Sequence, residues 1–86
     1  MKVIIPSPLR SYTDEKPAID AHGNTLDALL RDMDTRYPGI RFRAIDEQDG
    51  VRPHIKIFVN RQQVRDLAFP LAENDEVILV AALSGG

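Results

Sequence analysis

Glu76-Val77-Ile78-Leu79-Val80-Ala81-Ala82 carries six apolar residues in a row and runs directly into Leu83-Ser84-Gly85-Gly86, the last four residues of the sequence. A strand with no polar face belongs in the middle of a sheet or under a partner. Asn74-Asp75 supplies the turn ahead of it. Further back, His54 to Asn60 alternates, with Ile55, Ile57 and Val59 on one face and Lys56 and Phe58 on the other. Asn60-Arg61-Gln62-Gln63 then predicts a turn into a brief strand around Val64, and Leu67 to Leu71 a packed connection.

The N-terminal half completes the pattern. Lys2 to Pro6 alternates around Val3 and Ile5 and predicts a first strand. Ser7 to Lys16 reads as a long hairpin connection, and Pro17 to Ala21 as the returning strand. Gly23-Asn24-Thr25 opens a helix with Asn24 or Thr25 as N-cap and Asp27 near its positive end. Leu26, Leu29, Leu30 and Met33 recur at helical spacing, with Tyr37 extending the stripe and Pro38-Gly39 stopping it. A short helical turn follows, anchored by Ile40 and either Phe42 or Ile45, and Asp46 to Gly50 is a polar exposed loop. The first and last strands are natural parallel neighbours, joined by the long crossover that parallel pairing requires. The predicted class is therefore α+β: a β-grasp, or ubiquitin-like, mixed sheet of four to five strands with one main helix on one face. Residues 1–82 form the domain, and residues 83–86 a flexible tail.

Composition narrows the function. Eighty-six residues, 43% hydrophobic and 28% charged, make one domain. A net charge of −2 with interspersed signs gives no polyanion-binding signature, so nucleic acid is not an expected partner. Pro6 and Arg10 interrupt the apolar run Val3-Ile4-Ile5 well short of an export signal, and no stretch is long enough to span a bilayer. A cytoplasmic location without membrane association is expected. Cysteine is absent, which removes disulfides, thiolate metal sites and persulfide chemistry on a side chain. His22 and His54 have no cysteine or clustered carboxylate beside them in sequence, so no metal site and no bound cofactor are expected.

The terminus is the remaining reactive group. Gly85 and Gly86 lack Cβ atoms and can pass a channel too narrow for any side chain. Extended at roughly 3.3–3.6 Å per residue, Leu83 to Gly86 carry the terminal carboxylate about 13–14 Å beyond the sheet. That reach lets the body dock outside a partner's active site while Gly86 enters it, with Leu83, Ser84 and Gly85 threading behind.

Gly23-Asn24-Thr25-Leu26, Ile57-Phe58-Val59-Asn60, Asn74-Asp75-Glu76-Val77 and terminal Gly85-Gly86, in this order, resemble the MoaD/ThiS family of ubiquitin-like sulfur carriers along essentially the whole chain. Ile5-Pro6, Leu9-Arg10 and Tyr37-Pro38-Gly39-Ile40 look closest to its CysO-type members and to the longer MoaD-type small subunits of molybdopterin synthase. The resemblance implies that a partner enzyme uses ATP to adenylate the Gly86 carboxylate, which becomes a thiocarboxylate. Sulfur then passes to a downstream synthase in cysteine or molybdopterin biosynthesis. On that basis the chain is expected to be a protein co-substrate, alone or as the small subunit of a sulfur-transfer complex, and not an enzyme. Leu83-Ser84 departs from the small or β-branched pair common in family tails, which leaves the cognate partner open.

Strand alternation also nominates a docking face. If Val77 and Leu79 point to the core, Ile78 and Val80 join Phe58 on the open side of the sheet. A one-residue slip would exchange the two faces, making the same three residues core. Two further functions fit the sequence. One is a ubiquitin-like modifier joined to lysines through the same terminus; the other is a β-grasp binding module with no terminal chemistry.

Overall fold

The computed structural model describes residues 1–82; Leu83, Ser84, Gly85 and Gly86, and with them the predicted tail, lie outside the described residues. Five strands form one sheet: β1 (Lys2–Ile4), β2 (Ala18–Asp20), β3 (Ile55–Val59), β4 (Gln62–Gln63) and β5 (Val77–Ala81), in the order β2-β1-β5-β3-β4. β5 is central, parallel to β1 through Val3↔Val77 and antiparallel to β3 through Ile57↔Leu79. This placement explains its unbroken apolar run, since a strand with two neighbours and a helix-covered face has little use for polar side chains. The fold is a β-grasp.

Helix α1 (Leu26–Arg36) buries Leu26, Leu29, Leu30 and Met33. These residues join one core with Val3, Ile5, Ile19, Ile57, Val77 and Leu79. Thr25, not Asn24, is the N-cap: its hydroxyl accepts the Ala28 N–H at 3.2 Å. Asn24 uses its main-chain carbonyl instead, accepting from Leu71 N–H. Gly23 is set by packing. A Cβ there would collide with the backbone of α1, meeting Leu29 N, Leu29 Cα at 2.7 Å and the Ala28 carbonyl carbon at 2.8 Å. Helix α2 (Ile40–Ala44) is anchored by Ile40, Ala44 and the following Ile45, all buried, while Phe42 is 53% exposed. Of the two anchors open in the sequence, Ile45 is therefore the one used.

The Ser7 to Lys16 hairpin connection, for which the sequence predicts no helix, contains one. Ser7–Thr13 forms a 3-10 helix with Leu9 and Thr13 buried. Runs this long are uncommon because their hydrogen-bond geometry is poor. Leu9 inserts into the core, and the Thr13 hydroxyl donates to the Lys16 carbonyl at 2.9 Å, closing the turn that returns the chain to β2. The brief strand expected around Val64 is displaced to Gln62–Gln63, and Val64 is a buried plug whose N–H donates to Ile57 O. Among the described residues, no helix is long and apolar enough to cross a membrane.

Candidate functional site

Two adjoining features make the site: the face of the sheet away from α1 and the end of β5. Alternation along β3 and β5 buries Ile55, Ile57, Val59, Val77 and Leu79 and turns Phe58, Ile78 and Val80 the other way. Phe58 lies directly across from Ile78, and Val80, 38% exposed, lies across from Lys56. Segment 39–52 does not cover these residues, because α2 packs against α1 and the 3-10 helix.

The structure adds two residues that the sequence reading missed. Ile4 pairs with Ile78 across the parallel junction, and Ala18 pairs with Ile4. The result is one cross-sheet row, Ala18-Ile4-Ile78-Phe58, half-buried throughout and ended at the edge by exposed Gln63. Alternation around Val3 already turned Ile4 outward in the sequence. That it sits beside Ile78 depends on the parallel register, which no local pattern encodes.

Two of the sequence motifs meet in space. The β3–β4 turn places Asn60 and Arg61 at φ 50° and 72°, a left-handed pair suited to a two-residue hairpin. Asn60 Nδ2 donates to Asp75 Oδ1 at 2.7 Å, and Asn60 Oδ1 accepts the Glu76 N–H at 3.0 Å. Asp75 Oδ2 in turn accepts the Ala72 N–H at 2.8 Å. The Ala72 N–H and the Asn60 amide hold the Asp75 carboxyl below the usual carboxylate range. This network pins the entry of β5 against the end of β3, and so sets the register that aligns Phe58 with Ile78.

At the far end, Ala81 pairs with Ile55 and the Ala82 N–H donates to His54 O at 2.8 Å. This is the last main-chain bond of β5 among the described residues. The 3-10 helix packs against β5 here, and Tyr12, Arg43 and His54 line a cleft of about 310 Å³ beside it. Predicted site residues Leu83, Ser84, Gly85 and Gly86 follow directly in sequence and lie outside the described residues.

Two other polar clusters, around Asp27 and Asp46, are structural. Asp27 accepts from Arg31 at 2.8 Å and from Arg41 at 2.7 Å, and those two guanidiniums hold its carboxyl below the ordinary value. Arg41 thereby ties α2 to α1. Asp46 closes its loop by accepting the N–H groups of Gln48 and Gly50, each at 2.9 Å. His22 is exposed beside Asp20, and among the described residues no three His, Cys, Asp or Glu side chains converge as metal ligands.

The profile of the ThiS family matches residues 3–86, nearly the whole chain. The chain belongs to the ThiS family. Within this family's reach, it is 35% identical over 89 residues to the sulfur carrier protein CysO of Mycobacterium tuberculosis, covering 98% of this chain and 96% of that protein. The crystal structure of M. tuberculosis CysO superposes with a TM-score of 0.88 at 32% identity, over 95% of this chain and 98% of that one. A chain of the Amycolatopsis orientalis BexX/CysO complex gives 0.91 at 27% identity, over 99% and 98%. SAMP1 of Haloferax volcanii gives 0.78 at 22% identity over 100% and 98%, a likeness of fold alone. The geometry of this chain gives the motifs their physical meaning. Gly23 permits close helix approach, and Asn60 and Asp75 form the clamp on β5.

Proposed function

We propose that this protein is a sulfur carrier in the manner of CysO and acts as a protein co-substrate in cysteine biosynthesis. The observation that carries the proposal is the ThiS-family match, which runs through the terminal Gly85-Gly86, joined to 35% identity with a sulfur carrier along both chains. In this reading an activating enzyme joins the Gly86 carboxylate to the α-phosphorus of ATP, releasing pyrophosphate. The acyl-adenylate is an electrophile where the carboxylate is not. A sulfide equivalent attacks the acyl carbon, AMP leaves with its electron pair, and loss of a proton gives the thiocarboxylate. The carrier then hands that sulfur to an acceptor enzyme.

The body of the protein supplies recognition and reach. The row Ala18-Ile4-Ile78-Phe58, with Val80 beside it, is the docking face, and Leu83, Ser84 and Gly85 thread Gly86 into the partner's active site. Support comes from β5, whose hydrogen bonding through Ala82 brings a rigid strand to the tail's root. Support also comes from a homologous chain of the same fold in the BexX/CysO complex.

The test is intact mass spectrometry after incubation with source-cell extract, ATP and a sulfur donor, beside a Gly86-deleted control. The expected result is an ATP-dependent gain equal to replacing one oxygen by sulfur, confined to the full chain. Lysine-linked adducts in place of that gain would establish a modifier. An unchanged mass in an extract that charges a related carrier would leave a binding module.

A further inference from the structure

The chain has a net charge of −2, yet the end of the sheet where β5 finishes is lined with cations. Lys56 lies across from Val80 on β3, and His54 accepts the Ala82 N–H through its carbonyl. Arg10 stands over the end of β1, donating Nε–H to Ile5 O at 3.0 Å. Arg43 reaches the same corner, beside His54, and donates Nε–H to the Tyr12 hydroxyl. Arg52, in the turn leading into β3, donates Nε–H to Phe42 O at 2.6 Å and stacks 4.5 Å from the Phe42 ring centre.

These arginines are partnered differently from those of the helices. Arg31, Arg36 and Arg41 each form an ion pair with an aspartate at 2.7–2.8 Å. Arg10, Arg43, Arg52 and Lys56 form none among the described residues, and Asp14 and Glu15, the acidic residues after the 3-10 helix, do not reach them. Asp46 feels Arg52 through space, but its hydrogen bonds go to Gly50 and Gln48. Three guanidiniums are thus oriented through Nε by neutral acceptors, with no carboxylate among the described residues on their outer nitrogens. A guanidinium held this way presents a fork matched to an oxyanion.

We infer that this rim of Arg10, Arg43, Arg52 and Lys56 docks against aspartate and glutamate side chains at the mouth of the activating enzyme's channel. The inference rests on the carrier reading and adds the chemistry of the partner's surface. Reach decides between protein carboxylates and a nucleotide phosphate. Were the last four residues drawn out at roughly 3.3–3.6 Å each in the partner's channel, they would span about 13–14 Å, which would put a phosphate bound at the terminus beyond arginines clustered at the end of the sheet. Complementary charge at the mouth steers encounter and fixes the entry angle of the tail, apart from the apolar contact made by the sheet.

The test uses the full chain and the adenylating enzyme purified from source cells by its charging of wild type. ATP-dependent thiocarboxylate formation is measured against carrier concentration for wild type, for Arg43→Gln/Arg52→Gln/Lys56→Gln, and for the distant exposed pair Arg61→Gln/Arg65→Gln. At low salt, the rim variant raises the half-saturating concentration at least about tenfold with the maximal rate kept. The distant pair changes it less than about twofold, and high salt brings all three together through screening. Lys56→Gln alone, which removes no side-chain hydrogen bond among the described residues, gives the same direction at about threefold should the triple variant melt early. Equal half-saturation for the rim variant and wild type at low salt overturns the rim and leaves the carrier intact. Failure of wild type to be charged at all overturns the carrier reading, and the rim with it.

Discussion

Phe58→Asp and Ile57→Asp put the same carboxylate on opposite faces of β3, one residue apart. Ile57 is 0% exposed, so its replacement removes about 2–5 kcal/mol of core packing and strands a charge costing several kcal/mol more. That sum is comparable to the whole stability of a domain this size, about 5–15 kcal/mol, and Ile57→Asp should fail to fold. Phe58 is half-buried against Ile78 and Gln63, so its loss removes about half of the roughly 1.5–3 kcal/mol of full burial. Phe58→Asp should therefore fold, destabilised by about 1 kcal/mol. On a partner it forfeits the other half and leaves a desolvated carboxylate at about 1–3 kcal/mol, together roughly 2–4 kcal/mol. The half-saturating concentration for ATP-dependent charging should rise about 30-fold or more. Urea denaturation followed by circular dichroism gives the first quantity and charging kinetics the second. Unfolding of Phe58→Asp under conditions where wild type is folded would place Phe58 in the core. Folded Phe58→Asp charged at wild-type half-saturation would refute the docking face.

Four further outcomes follow, three from packing and one from charge. Gly23→Ala drives a Cβ into the backbone of α1 and should cost about 2 kcal/mol, lowering the melting temperature by roughly 10 °C. Gly50→Ala, whose Cβ would meet only the Asp46 carboxylate at 3.4 Å, should leave melting within about 3 °C. Asn60→Ala strands the Glu76 N–H and loses a residue suited to φ 50°, costing about 1–2 kcal/mol in urea titration; Asn60→Gly should recover only the conformational part. Asp27 is lowered by Arg31 and Arg41, Asp46 by the Gly50 and Gln48 N–H groups, and Asp75 by the Ala72 N–H and the Asn60 amide. A folded pKa below the unfolded value of about 3.9 contributes stability that is fully present above that value and lost as pH falls through the folded pKa. Melting temperature should hold from neutral pH to about pH 5 and fall below about pH 4. Asp46→Asn/Asp75→Asn should shallow that acid limb, and an unchanged limb would refute the assignment.

The cross-sheet row and the cation rim show where local reading stops. Outward placement of Phe58, Ile78 and Val80 follows from period-two alternation once one residue of each strand is assigned to the core, and each is an outward residue of its strand. Ile4 was equally outward by alternation around Val3, yet its membership of the row required knowing that β1 lies parallel to β5 with Ile4 against Ile78. The 3-10 helix was missed because Ser-Pro-Leu-Arg-Ser-Tyr-Thr has neither helical nor strand periodicity. Its shape is imposed by burial of Leu9 and Thr13.

By itself, then, the sequence determined the elements and their faces: the apolar β5, the stripe on α1, the stop at Pro38-Gly39 and the lack of any cysteine chemistry. Periodicity and turn residues are local properties, and a chain displays them without folding. Tertiary structure alone decided which faces became neighbours. Arg10, Arg43, Arg52 and Lys56 come from four separate segments, and only the parallel junction of β1 with β5 and the docking of the 3-10 helix bring them to the end of one sheet. Their lack of carboxylate partners among the described residues is likewise a property of distances in space, to which order along the chain is blind.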